Sequence, residues 1–224
     1  MLTAGCAAWR VGQSIELARR SEPFEQTPAK SALRLLVVGD STAVGTGASE
    51  PANSLAGLIG RDYPALSIEN RARDGARFEQ VAAQLEAGGR FDIVLIQAGG
   101  NDVIRLRGLE AMRADIDRVA DLGRERAPLV IFMPAGNVGN APFFFVPLSW
   151  WMTQRSRAMH RHVAASAQRT GAVYVNLFEE RETDPFVSTP SLNADDGLHP
   201  SDAGYRVWWQ ALQVQADLPQ RLML

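Results

Sequence analysis

A serine, a histidine and a carboxylate can cleave an acyl bond when they act as a set. The sequence offers such a set in two short blocks. The first is Gly39-Asp40-Ser41, which follows the apolar run LRLLVV at 33–38. The second is Asp196-Gly197-Leu198-His199, near the C-terminus. A serine hydroxyl is a poor nucleophile until a base takes its proton, and the base needs a third group to hold its tautomer. Asp196 lies three residues before His199, with Gly197 between them to bend the backbone. At that spacing the carboxylate can turn back to the imidazole Nδ1–H and leave Nε2 to face a serine. His160 and His162 sit in a helical pattern among Arg155, Arg157 and Arg161 and read as helix-face or core-edge residues. Each block also has a purely structural reading. Gly, Asp and Ser are turn residues, and 196–199 could be a loop that caps a helix.

Attack on an acyl carbon gathers negative charge on the carbonyl oxygen. Fixed donors aimed there are worth about 2.7–4 kcal/mol each. Three candidates follow: the backbone N–H of Ser41, the backbone N–H of Gly75 in NRARDGAR, and the side-chain amide of Asn101 in GGND. A glycine lets its N–H approach a substrate with no Cβ in the way.

These residues need elements to hold them. Apolar runs at 33–38, 66–69, 92–97, 128–133 and 172–177 read as strands covered on both faces. Helical patterns lie between them at 53–62, 77–87, 108–126 and 151–170. A last helix is expected near 201–216, opening on Ser201 as a cap after Pro200. Strand–helix alternation predicts an α/β fold, with right-handed crossovers, a parallel sheet and helices on both faces. Ligands bind such sheets beyond the carboxyl ends of the strands. Gly39–Ser41, 70–75 and 99–102 each fall just after a predicted strand.

Taken together, GDS at 39–41, Gly75, GGND at 99–102 and DGLH at 196–199 resemble the blocks of the SGNH, or GDSL-type, serine esterase family. The likeness runs from about Leu33 to Asp217, and Thr42 departs from it where the family often has leucine. The resemblance implies a three-layer flavodoxin-like fold with a five-stranded sheet of order 2-1-3-4-5. It also implies hydrolysis of carboxylic esters through an acyl-serine. On that reading Ser41 attacks, His199 moves the proton, Asp196 orients His199, and Ser41, Gly75 and Asn101 hold the oxyanion. Asp40 and Asp102 are expected to brace loops by local hydrogen bonds. The alternative is a non-catalytic lipid- or glycan-binding member of the same fold. Ser41, Asn101, Asp196 and His199 occurring at once argues against it.

Other classes find little support. No GxSxG, GxGxxG, GxxxxGK[ST] or HExxH occurs, so no cofactor and no metal are expected. The net charge of −2 over 224 residues argues against a nucleic-acid partner. The expected partner is a small-molecule, lipid or glycan ester. With Cys6 as the single cysteine, neither an intramolecular disulfide nor a CxxC motif can form.

The organisation expected is an N-terminal helix and linker at 1–32, a hydrolase domain at 33–218 and a C-terminal tail at 219–224. Residues 7–20 suit a short helix, and the polar 21–32, with two prolines, suits a linker. No standard signal peptide is recognisable. Leu2 to Cys6 resembles the tail of a lipoprotein signal without its apolar region, which leaves localisation open between the cell envelope and the cytoplasm. The aromatic stretch APFFFVPLSWWM at 141–152 has three readings: core packing, a substrate wall built from Phe143, Phe144, Phe145 and Trp150, or a membrane-surface contact that the N-terminal segment could share.

Overall fold

The computed structural model describes residues 2–222 of the chain, with side chains from Trp9 onward. The side chain of Cys6 and residues 223 and 224 lie outside that description. Strands β1 (Leu33–Gly39), β2 (Leu66–Asn70), β3 (Ile93–Gln97), β4 (Leu129–Phe132) and β5 (Val173–Tyr174) form one parallel sheet of order β2-β1-β3-β4-β5. Successive side chains of a strand point to opposite faces. Leu35 and Val37 thus enter one core while Leu36 and Val38 enter the other.

The helices are α1 (Leu2–Arg20), α2 (Ser41–Val44), α3 (Leu55–Asp62), α4 (Phe78–Glu86), α5 (Gly100–Ile104), α6 (Leu109–Arg126), α7 (Leu148–Thr170), α8 (Pro185–Ser188), α9 (Asp202–Gln215) and α10 (Leu218–Arg221). α3 and α9 cover one face of the sheet, and α4, α6 and α7 cover the other. The protein is therefore a three-layer α/β sandwich of flavodoxin-like order.

Several boundaries differ from the sequence reading. β4 and β5 are shorter than the apolar runs that announced them. β5 is the edge strand, and past it the N–H of Asn176 donates to the side chain of Gln215 at 2.7 Å instead of extending a ladder. α7 begins at Leu148, directly after Pro147, ahead of the expected 151. α2, α5, α8 and α10 went unpredicted because elements of four or five residues carry no readable period.

The two ends of the chain also differ. α1 is longer than the helix expected at 7–20. In the polar segment after it, Gln26 pairs antiparallel with Ile68 through backbone bonds of 3.0 and 2.8 Å, covering the free edge of β2. Residues 219–221 of the expected tail belong to α10, and Leu218 and Leu222 are buried in the core beside α3 and α9.

Candidate active site

The site begins where β1 ends. Gly39 has φ 153°, and a Cβ there would run into the carbonyl of Gln97 on β3, so glycine is required. The buried side chain of Gln84, from α4, grips this residue. Its Oε1 accepts from the Gly39 N–H at 2.8 Å and its Nε2 donates to the Gly39 carbonyl at 2.9 Å. Asp40 then caps α2. Its Oδ1 accepts from the N–H and the hydroxyl of Thr42, at 2.9 and 2.8 Å. Burial pushes the Asp40 carboxyl up, against the pull of those bonds. Thr42 is thus a capping partner, and Ser41 stands in the first turn of α2, held from both sides. From α9, fully buried Tyr205 donates its hydroxyl to the carbonyl of Thr46 at 2.9 Å and clamps the loop that follows.

His199 comes from the loop before α9. Its Nε2 lies 2.8 Å from Ser41 Oγ, and its Nδ1 lies 2.6 Å from Asp196 Oδ2. The second oxygen of Asp196 accepts from the N–H groups of Leu198 and His199, at 2.9 and 3.0 Å. Burial alone would raise this carboxyl, which is 0% exposed. The hydrogen bond and charge of His199, with the two backbone N–H groups, outweigh that and hold it down to about 2. Asp196 is therefore a fixed anion at neutral pH.

Ser41, Gly75, Asn101 and His199 line a single cleft of about 260 Å³ at the carboxyl end of the sheet. Gly75 has φ 74°, and a Cβ on it would sit 2.9 Å from a terminal nitrogen of Arg105. Neither the Gly75 N–H nor the Asn101 amide has a hydrogen-bond acceptor among the described residues, so both remain available to a ligand. Asn70 ties the end of β2 to α2 by donating to the Ala43 carbonyl at 2.9 Å. Asp102 accepts from the Phe78 N–H at 3.1 Å through Oδ2, while its buried Oδ1 has no partner. Burial pushes this carboxyl up to about 7.

Ile104, Val138, Leu177, Phe186 and Trp208 add apolar groups to the cleft lining. Asn137, Asn140 and Asp184 add polar groups. Phe143, Phe144, Phe145 and Trp150 do not line it, which corrects the reading of these four as a substrate wall. The N–H of Phe143 donates to the Gly197 carbonyl at 3.0 Å, and this bond carries the chain past the rim. Phe144 then packs on the core under α7, edge-to-face with Phe143. Phe145 and Trp150 face outward, 57% and 65% exposed.

His160 is a buried strut. Its Nε2–H donates to the Ala135 carbonyl at 2.8 Å, so Nδ1 accepts from the Tyr174 hydroxyl at 2.6 Å. Burial lowers its pKa to about 4, which keeps it neutral. Among the described residues no cluster of three or more His, Cys, Asp or Glu could hold a metal ion. No described helix is long and apolar enough to cross a membrane.

The pattern of the GDSL-like lipase/acylhydrolase family matches residues 37–207. The chain belongs to that family. No curated protein sequence matches it. Solved structures share the fold. Axe2, an acetylxylan esterase from Geobacillus stearothermophilus, aligns with TM-score 0.61 at 22% identity, covering 84% of this chain and 96% of the other. TesA aligns with TM-score 0.64 at 19% identity, covering 83% and 98%. A lipolytic G-D-S-L family protein from Veillonella parvula aligns with TM-score 0.65 at 15% identity, covering 82% and 97%.

Within this GDSL-like frame, the sequence reading missed Gln84 and Tyr205 and gave Asn70 no role of its own. Nothing in the sequence separates Gln84 from Gln80 on the same helix. Its role comes from the neighbour it meets, 45 positions away.

Proposed function

We propose that the protein hydrolyses carboxylic esters through an acyl-serine intermediate. The observation that carries this reading is the line from Ser41 Oγ to His199 Nε2, at 2.8 Å, and from His199 Nδ1 to Asp196, at 2.6 Å. Asp196, an acceptor on both oxygens, keeps the proton on Nδ1 and leaves Nε2 free to receive one. Ser41 Oγ attacks the acyl carbon as its proton passes to Nε2. The imidazolium formed is stabilised by the buried Asp196 carboxylate. Charge on the carbonyl oxygen is met by the Ser41 and Gly75 N–H groups and the Asn101 amide. His199 then returns its proton to the leaving alkoxide. Water repeats the cycle, and His199 again acts first as base and then as acid to release the carboxylic acid and Ser41.

The family and its esterase relatives of like fold support an ester substrate. The apolar residues in the cleft lining suit a hydrocarbon group, whether of a small molecule, a lipid or a modified glycan. A fluorophosphonate probe tests the reading directly. It is expected to label Ser41 covalently in the native protein, with no label on Ser41→Ala, and the label is expected to abolish turnover of p-nitrophenyl esters. A folded native protein that takes up no label and turns over no ester would overturn the proposal in favour of a binding role.

A further inference from the structure

Part of the cleft wall comes from outside the family's own residues. The family pattern begins at residue 37, and α1 ends at Arg20. Yet Ser14, Ile15 and Ala18 line the same cleft as Ser41, Gly75, Asn101 and His199. Positions i, i+1 and i+4 share one side of a helix, so these three form a single stripe turned to the cleft.

α1 is thinly attached. No residue from Trp9 to Arg20 is buried, and Ile15 is 50% exposed. Among the described side chains, the polar contacts of α1 reach no further than the adjoining Ser21, as between Arg20 and Glu16 and between Ser21 and the Leu17 carbonyl. Beyond the helix the chain is pinned by Gln26 on the edge of β2. A half-exposed isoleucine lining a cleft with other apolar residues gains when a hydrocarbon group displaces the water on it. An acetyl group bound beside Ser41 is too short to fill a cleft of about 260 Å³. A longer group has room to extend within the cleft to the residues of α1 that line it.

We propose that Ile15 and Ala18 form the outer wall of the substrate cleft and make the enzyme favour esters with an extended apolar group. This rests on the ester-hydrolase reading above. It assigns specificity to a helix that the family pattern does not include.

The test uses the full chain and two series of esters. One is p-nitrophenyl acetate through octanoate, which lengthens the acyl group. The other is acetates of alcohols from ethanol to octanol, which lengthens the alcohol. In Ile15→Asp, the kcat/KM ratio of the longest ester over the shortest is expected to fall about tenfold in one series, chiefly through KM. The series that responds identifies which half of the ester meets α1. Ala18→Trp narrows the same wall and is expected to lower the same ratio. Trp9→Asp, on the side of α1 opposite that stripe and 58% exposed, is expected to keep the native ratio. Unchanged ratios in both Ile15→Asp and Ala18→Trp would overturn the proposal, as would an equal fall in Trp9→Asp. Failure of the ester-hydrolase reading looks different, because the native protein would then turn over no ester of either series.

Discussion

The side-chain amide of Gln84 closes two hydrogen bonds on one residue, accepting from the N–H of Gly39 and donating to its carbonyl, at 2.8 and 2.9 Å. Gly39 lies two positions before Ser41. The height and direction of the serine are therefore set partly by α4, on the face of the sheet that packs α6 and α7.

Gln84→Met fills the same space without either bond. The Gly39 carbonyl keeps the N–H of Arg73 at 3.1 Å, but the Gly39 N–H loses its acceptor in a buried site. An orphaned buried donor costs about 1–3 kcal/mol. Chemical denaturation is expected to show a loss of that order, with kcat reduced in the folded enzyme. A variant with native stability and native kcat would refute the bracing role.

Asp196→Asn keeps the shape and changes the tautomer. The oxygen that accepts from the Leu198 and His199 N–H groups must stay an oxygen, so the new NH₂ is forced toward Nδ1. Nδ1 must then accept, and the proton moves to Nε2, where it blocks transfer from Ser41. The expected loss in kcat is about 10⁴-fold with a native circular dichroism spectrum. Steady-state hydrolysis of p-nitrophenyl acetate measures it, and a loss below about tenfold would contradict the assigned role.

Asp102 gives a pH dependence with a definite sign. Burial raises its carboxyl from the ordinary 3.8 to about 7. A carboxyl bound more tightly to its proton in the folded state stabilises the fold below pH 3.8, and that contribution is lost as pH rises through about 7. Each tenfold change in proton affinity is worth about 1.4 kcal/mol. Asp102→Asn is uncharged at every pH, and its carbonyl can still accept from the Phe78 N–H. The melting temperature of the native protein is expected to drop between pH 5.5 and 8.5 by more than that of the variant. Parallel curves would show that Asp102 ionises without penalty.

Much of the frame is legible in the sequence because burial on both faces leaves a strong trace. β1 and β3, buried throughout most of their length, announce themselves as apolar runs ending in polar loops, and α4, α6 and α9 by helical patterns or a cap. Edges carry weaker traces. β5 pairs on one side, so its apolar run at 172–177 outlasts its two-residue strand. The aromatic segment at 141–152 stayed open between three readings for a related reason. Hydrophobic side chains signal contact with something apolar, and their type alone does not distinguish core, cleft or open surface.

The sequence by itself determined the chemistry available: a serine after a buried strand, a histidine with an aspartate three positions before it, and candidate amide donors at strand ends. These follow from local spacing and periodicity, which short-range sterics enforce. Only the tertiary structure decided that Ser41 and His199, 158 positions apart, stand 2.8 Å from each other. It alone revealed that Gln84 and Tyr205 hold the serine's loop, and that α1 reaches the cleft. Such contacts arise when layers pack, and packing joins residues whose separation along the chain carries no signal of their meeting.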